Sequence, residues 1–134
     1  MAKNEQPIFT KAPVVGMGTV TAANANLDGT GAIVDVVSGG VDGMRLDVFE
    51  AKAIVTTTAG MLRIFLSSDS GVTWELFAEV PVTVAVPAAA VEAFSAELVF
   101  TKPLNLPDDT WHVGVSTENA EEMNVFFRGG SLSA

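Results

Sequence analysis

Along this chain apolar and polar residues change places at every second position, in short runs broken by clusters of Gly, Pro, Asp, Asn and Ser. The clearest run is 61–66, MLRIFL, where Met61, Arg63 and Phe65 fall on one face and Leu62, Ile64 and Leu66 on the other. That is the period-2 geometry of a strand. It leads into 67–73, a dense stretch of small polar residues with one Gly, the composition of a tight turn. Alternation resumes with Trp74, Leu76, Ala78 and Val80 set against Glu75, Phe77 and Glu79. The pattern predicts a β-hairpin, and its nearly apolar inner face places it at the centre of an antiparallel fold.

The rest of the chain continues in the same manner. Residues 14–22 read as a first strand loosened by Gly16 and Gly18, and 24–31 as a turn with Asp28-Gly29 as a hairpin-type signal. A short β-branched strand at 32–37 and a Gly-rich turn at 38–43 follow. In 44–55, Met44, Leu46 and Val48 alternate with Arg45, Asp47 and Phe49, until the apolar face becomes ambiguous at 50–53. That ambiguity predicts a bulge or a bend between sheets. Pro81 cannot donate to a ladder, so 80–86 belongs at an edge or begins a new strand after a bend.

A connection at 87–92 precedes a strand at 93–101, with Phe94, Ala96, Leu98 and Phe100 inward. Two prolines fix 102–109 as a loop, which Asp108-Asp109 closes. The strand 110–117 sets Trp111, Val113 and Val115 on one face; after a charged turn, the last strand, 123–128, turns Met123, Val125 and Phe127 to the core.

The sum is an all-β chain of eight to nine short strands without a long amphipathic helix, which predicts an antiparallel β-sandwich. A jelly roll is favoured over an immunoglobulin-like arrangement, whose Cys…Trp…Cys signature is missing. The expected organisation is an extended N-terminal arm at 1–13, a single sandwich domain at 14–128 and a C-terminal tail at 129–134. The arm reads either as a frayed terminus or as a segment that docks on a neighbouring subunit, with Ile8 and Phe9 as its apolar anchor.

Composition narrows the function classes. The 134 residues suit one domain, large enough to bury about two-thirds of its extended surface. With 49% apolar and 17% charged residues, a full core forms without staples, and some apolar surface is expected to lie under a partner. There is no Cys, hence no disulfide, thiol nucleophile or Cys-based metal site. The net charge is −9 and the seven basic residues never cluster, which argues against direct contact with nucleic acid. The start of the chain lacks the apolar core of a signal peptide, and no apolar run is long enough for a bilayer; no membrane partner and synthesis in the cytoplasm are expected.

Individual motifs point to structure more than to chemistry. Ser67, Asp69, Gly71, Thr73 and Trp74 fit the pattern S-x-D-x-G-x-T-W, which resembles the Asp-box of sialidases and other β-propeller enzymes. The physics is local: Asp69 bonds amides of its own turn, Gly71 supplies positive φ and Trp74 packs over the hairpin. One copy in a short chain without Tyr predicts a structural turn and no sugar hydrolysis. His112 is the only histidine and reads as a surface or interface residue. The acidic pairs Asp108-Asp109 and Glu121-Glu122 lack the spacing of a calcium loop. No G-x-S-x-G elbow is present, and Ser38-Gly39-Gly40 leads to no phosphate loop. The expectation is a non-enzyme with no catalytic residue, cofactor or metal.

The run 56–66, TTTAGMLRIFL, followed by a turn and by Val80-Pro81-Val82, resembles small head decoration (cement) proteins of tailed bacteriophages. Similar elements continue through Ala93-Phe94, Leu106-Pro107 and 116–119, so the resemblance covers roughly 14–127. It implies a β-sandwich that binds the outside of an assembled shell at local symmetry axes and carries no catalytic residues. The implied partner is the major capsid protein. The implied assembly is a homo-oligomer, a trimer in preference to a dimer, and the implied place is the outer surface of the virion after synthesis in the host bacterium. The alternative is a tail, fibre or baseplate module that binds a host glycan, which calls for an exposed Trp and polar groups in a groove. Trp74 and Trp111 are both expected to face the core. A third option is a non-viral binding module or a small enzyme.

Overall fold

A computed structural model describes residues 10–132 of the chain. Eight strands form: Ala12–Val20 (β1), Val34–Ser38 (β2), Met44–Ala53 (β3), Gly60–Ser67 (β4), Glu75–Val82 (β5), Ser95–Leu106 (β6), His112–Thr117 (β7) and Met123–Ser131 (β8). They build two four-stranded antiparallel sheets, in the orders β1-β8-β3-β6 and β2-β7-β4-β5. The fold is an antiparallel β-sandwich, and no helix occurs among the described residues.

The pairing is nested. β4 pairs with β5, β3 with β6, β2 with β7 and β1 with β8. The first half of the chain therefore runs antiparallel to the second, folded back at the turn between Ser67 and Glu75. The hairpin read from the sequence is the midpoint of this scheme, but in space it lies at a margin, because β5 is the outer strand of its sheet. The expected central position is corrected accordingly. Pro81 explains it: an interior strand needs amide donors toward both neighbours, and Pro81 has none.

The inner faces meet in one buried cluster. β4 and β7 contribute Leu62, Ile64, Val113 and Val115; β3 and β8 contribute Leu46, Phe49, Val125 and Phe127. The aromatic rings form a chain through it. Phe49 and Phe127 lie 5.0 Å apart between centroids, and Phe100 stacks nearly parallel to Phe127 at 6.5 Å. Such ring pairs add to the area they bury.

Several boundaries differ from the sequence reading. The bulge falls at Asp47 and not at 50–53: Leu46 pairs with Gly129 and Val48 with Arg128, leaving one extra residue on β3. On its other side β3 pairs Leu46 with Leu104 and Val48 with Val99, so β6 bows out over 100–103. β6 then runs through Pro103 to Leu106, where 102–109 had read as a loop. An outer strand with an irregularity tolerates that proline.

β8 continues to Ser131, so Gly129 onward is strand where a tail was expected. A Cβ on Gly129 would stand 1.8 Å from the Arg45 carbonyl oxygen, and only glycine admits β3 so close beside its bulge. Ala12 and Pro13 likewise belong to β1 and not to the arm; Ile8 and Phe9 lie outside the described residues. The Asp28-Gly29 segment is no hairpin turn, because β1 and β2 sit in different sheets.

Candidate functional site

The turn between β4 and β5 is built as its residues require. The Ser67 hydroxyl donates to Asp69 Oδ1 at 2.7 Å and accepts the Gly71 amide at 2.8 Å. Asp69 Oδ1 accepts the Thr73 amide at 2.9 Å, and Oδ2 accepts the Thr73 hydroxyl at 2.5 Å. Ser70 and Gly71 take positive φ, 61° and 86°. The turn is tied to the segment before β7 by the Ser70 amide, which donates to the Thr110 carbonyl at 2.8 Å. The Thr73 hydroxyl, then the Thr73 amide and the Ser67 hydroxyl, hold the Asp69 carboxyl down at about 2, against an ordinary 3.8.

These bonds require the ionised form, so the turn's contribution is complete above the ordinary carboxylate range and is lost as pH falls from about 4 to about 2. The expected result is a urea midpoint that drops through this interval in the wild type, and a smaller drop in Asp69→Asn, measured by tryptophan emission.

Trp74 differs from expectation. It is half-buried, and its ring carbons lie 3.0 Å from where a Gly114 side chain would begin, with Ile33 beside it. Gly114 pairs with Phe65, whose strand neighbours Leu62 and Ile64 face the core. Trp74 therefore covers the outer face of its sheet, which accounts for Phe65 being fully buried there. Arg63, on the same face, is buried near Glu79 at 3.6 Å and Glu118 at 3.9 Å; these carboxylates offset its charge, while its Nε and Nη1 make no hydrogen bond among the described residues.

His112 also lies on this face. Its Nδ1 is 2.6 Å from Asp35 Oδ2 and its Nε2 is 3.2 Å from the Asp109 carbonyl oxygen, so both ring nitrogens are engaged across β2, β7 and the preceding loop. The acidic pairs act as turn fasteners. Asp108 accepts the Thr110 amide and hydroxyl, and Asp28 does the same for Thr30; both carboxyls are lowered, the threonine hydroxyl being the leading cause. Glu121 holds the Thr58 amide and hydroxyl. Among the described residues no group of three or more His, Asp or Glu is arranged to hold a metal ion.

Two surfaces remain. The outer face of the β1-β8-β3-β6 sheet carries an apolar stripe. Val15 is opposite Arg128, Arg128 opposite Val48 and Val48 opposite Val99, while Met17 in the next row is opposite Phe126. Val15, Met17 and Val99 are 52%, 69% and 54% exposed; between them Arg128 pairs with Glu50, and Glu97 stands opposite Glu50. Shallow grooves of about 410 and 430 Å³ flank Phe126 on either side.

The second surface is a groove of about 330 Å³ at one end of the sandwich, lined by Leu66, Ser68, Thr73, Glu75, Phe77 and Trp111. Trp111 packs partly against the core and partly lines this groove. The chain matches no protein-family model and no curated protein.

Four of the five turn residues singled out in the sequence, Ser67, Asp69, Gly71 and Thr73, thus come together as one hydrogen-bonded unit, and the fifth, Trp74, turns outward from it. The stripe and the Trp111 groove were not read from the sequence. Val15 and Met17 alternate with Gly16 and Gly18, which mark the inward face only by lacking a side chain.

Proposed function

We propose that this chain is a virion structural protein that binds the outer surface of a phage capsid and cements the assembled shell. The observation that carries this reading is the set of exposed apolar residues Val15, Met17 and Val99, with the half-buried Val48 and Phe126 between them, on the outer face of one sheet around the Arg128–Glu50 ion pair. Exposed apolar residues grouped around paired charge on one face fit a protein interface. The nested strand pairing supports a jelly roll, and the resemblance of 56–66 and its flanking elements to decoration proteins supplies the class of partner, the major capsid protein.

A protein that binds the assembled shell better than free subunits stabilises the shell by mass action. A modest affinity per copy suffices when the protein is an oligomer, a trimer at three-fold positions in preference to a dimer, because linked sites gain from effective concentration. The arm residues Ile8 and Phe9 serve as its subunit contact. An acidic exterior keeps the decorated particle soluble, and the net charge of −9 disfavours direct contact with nucleic acid.

Adding purified protein to empty heads that lack it tests the reading. Binding is expected to saturate at a fixed ratio to capsid protein, and Met17→Asp is expected to weaken it at least tenfold with the sandwich still folded, since a charge would be buried at the contact. Binding that never saturates, or that ignores Met17→Asp, contradicts it.

A further inference from the structure

We infer that the groove at the Trp111 end of the sandwich is a binding site for one neutral sugar ring. It is lined by Leu66, Leu76, the half-buried Trp111 and the 43% exposed Phe77, with Ser68, Thr73 and Glu75 as its polar residues. The Glu75 carboxylate, the Ser68 hydroxyl and the Trp111 indole N–H make no hydrogen bond or ion pair among the described residues. The groove therefore offers flat apolar faces beside unanswered donors and acceptors. A pyranose has the complementary surfaces, one face of C–H groups and a rim of hydroxyls that both donate and accept.

The alternatives fit less well. No Lys or Arg lines the groove and the chain carries a net charge of −9, which disfavours an acidic sugar. A guanidinium or ammonium would meet Glu75 and the aromatic faces, but it carries donors only and would leave the indole N–H and a hydroxyl proton without acceptors. At about 330 Å³ the site lies at the small end of ligand pockets, matching a single ring.

It is also held ready. The Trp111 carbonyl accepts the Gly39 amide at 2.8 Å and the Trp111 amide donates to the Asp108 carbonyl at 3.3 Å. Thr73 is bonded to Asp69 through its amide and hydroxyl, and Ser68 lies between Ser67 and Asp69, which bond each other. A site ordered before binding loses less freedom on binding.

The test uses the free full-length protein, so its result is independent of shell binding. Methyl glycosides of neutral hexoses, glucuronic acid and N-acetylarginine amide are titrated while amide NMR shifts of Ser68, Glu75 and Trp111 are followed. A neutral glycoside is expected to give saturable millimolar shifts at these residues. Glu75→Gln and Phe77→Ala, both exposed and both checked for an unchanged fold, are expected to weaken binding about tenfold each. No saturable shift with any neutral glycoside, equal shifts in both variants, or stronger binding of the acid or the arginine amide overturns the inference.

Discussion

Phe127→Ala is expected to cost about 3–5 kcal/mol, a large share of the roughly 5–15 kcal/mol that holds a domain of this size together. Phe127 is fully buried and touches the ring chain on both sides, Phe49 at 5.0 Å and Phe100 at 6.5 Å between centroids. Its strand is paired to both β1 and β3, so the surrounding backbone has little freedom to collapse into the space left. Urea unfolding followed by circular dichroism measures the loss as a lower midpoint with an unchanged slope. A loss below about 1 kcal/mol would mean that the two sheets do not depend on this ring, since Phe→Ala at a packed core site costs several times more.

Gly129→Ala is the second large effect, and it arises from steric exclusion alone, because the substitution removes no apolar side chain. The new Cβ would lie 1.8 Å from the Arg45 carbonyl oxygen and 2.8 Å from Leu46 Cα. Those are backbone atoms, so β3 and β8 must part at the Asp47 bulge, a cost of at least about 2–3 kcal/mol. Gly40→Ala provides the comparison. Gly40 has φ 76° but no atom within 4 Å of a new Cβ, so only the conformational cost of about 1 kcal/mol applies. The same side-chain change at the two sites therefore separates crowding from backbone preference, and a Gly129→Ala midpoint above that of Gly40→Ala would contradict the close approach of β3.

The strands were legible because each alternates over several residues between turn signals. The run 61–66 and the turn 67–73 could be read to within a residue or two. Position in space was not legible, since nesting is decided by which distant strands pair, and local alternation carries no record of that. Gly129 and Gly130 resemble a tail in sequence, yet the register requires a residue without a side chain at the bulge. Trp74 shares the parity of Ala78 and Val80, but Ile64 pairs with Ala78 and Phe65 with Leu76, so the extra residue Phe77 turns Leu76 and Trp74 to the outer face, a bulge that alternation alone does not show. The groove at Trp111 gathers residues from β4, the turn, β5 and the segment before β7, a set no single stretch of sequence displays. The acidic residues Asp28, Asp69 and Asp108 were legible in part: each is followed by a Thr at short spacing, the local pattern by which a carboxylate closes its own turn.

The central claim is that this sandwich acts through the contacts of its outer surface with a repeating shell. Counting its copies in purified virions, by quantitative mass spectrometry against the major capsid protein, tests that most directly. The account predicts a fixed ratio that reflects the symmetry of the head, with hundreds of copies per particle. A handful of copies per particle, the number a tail or baseplate component would show, would contradict it.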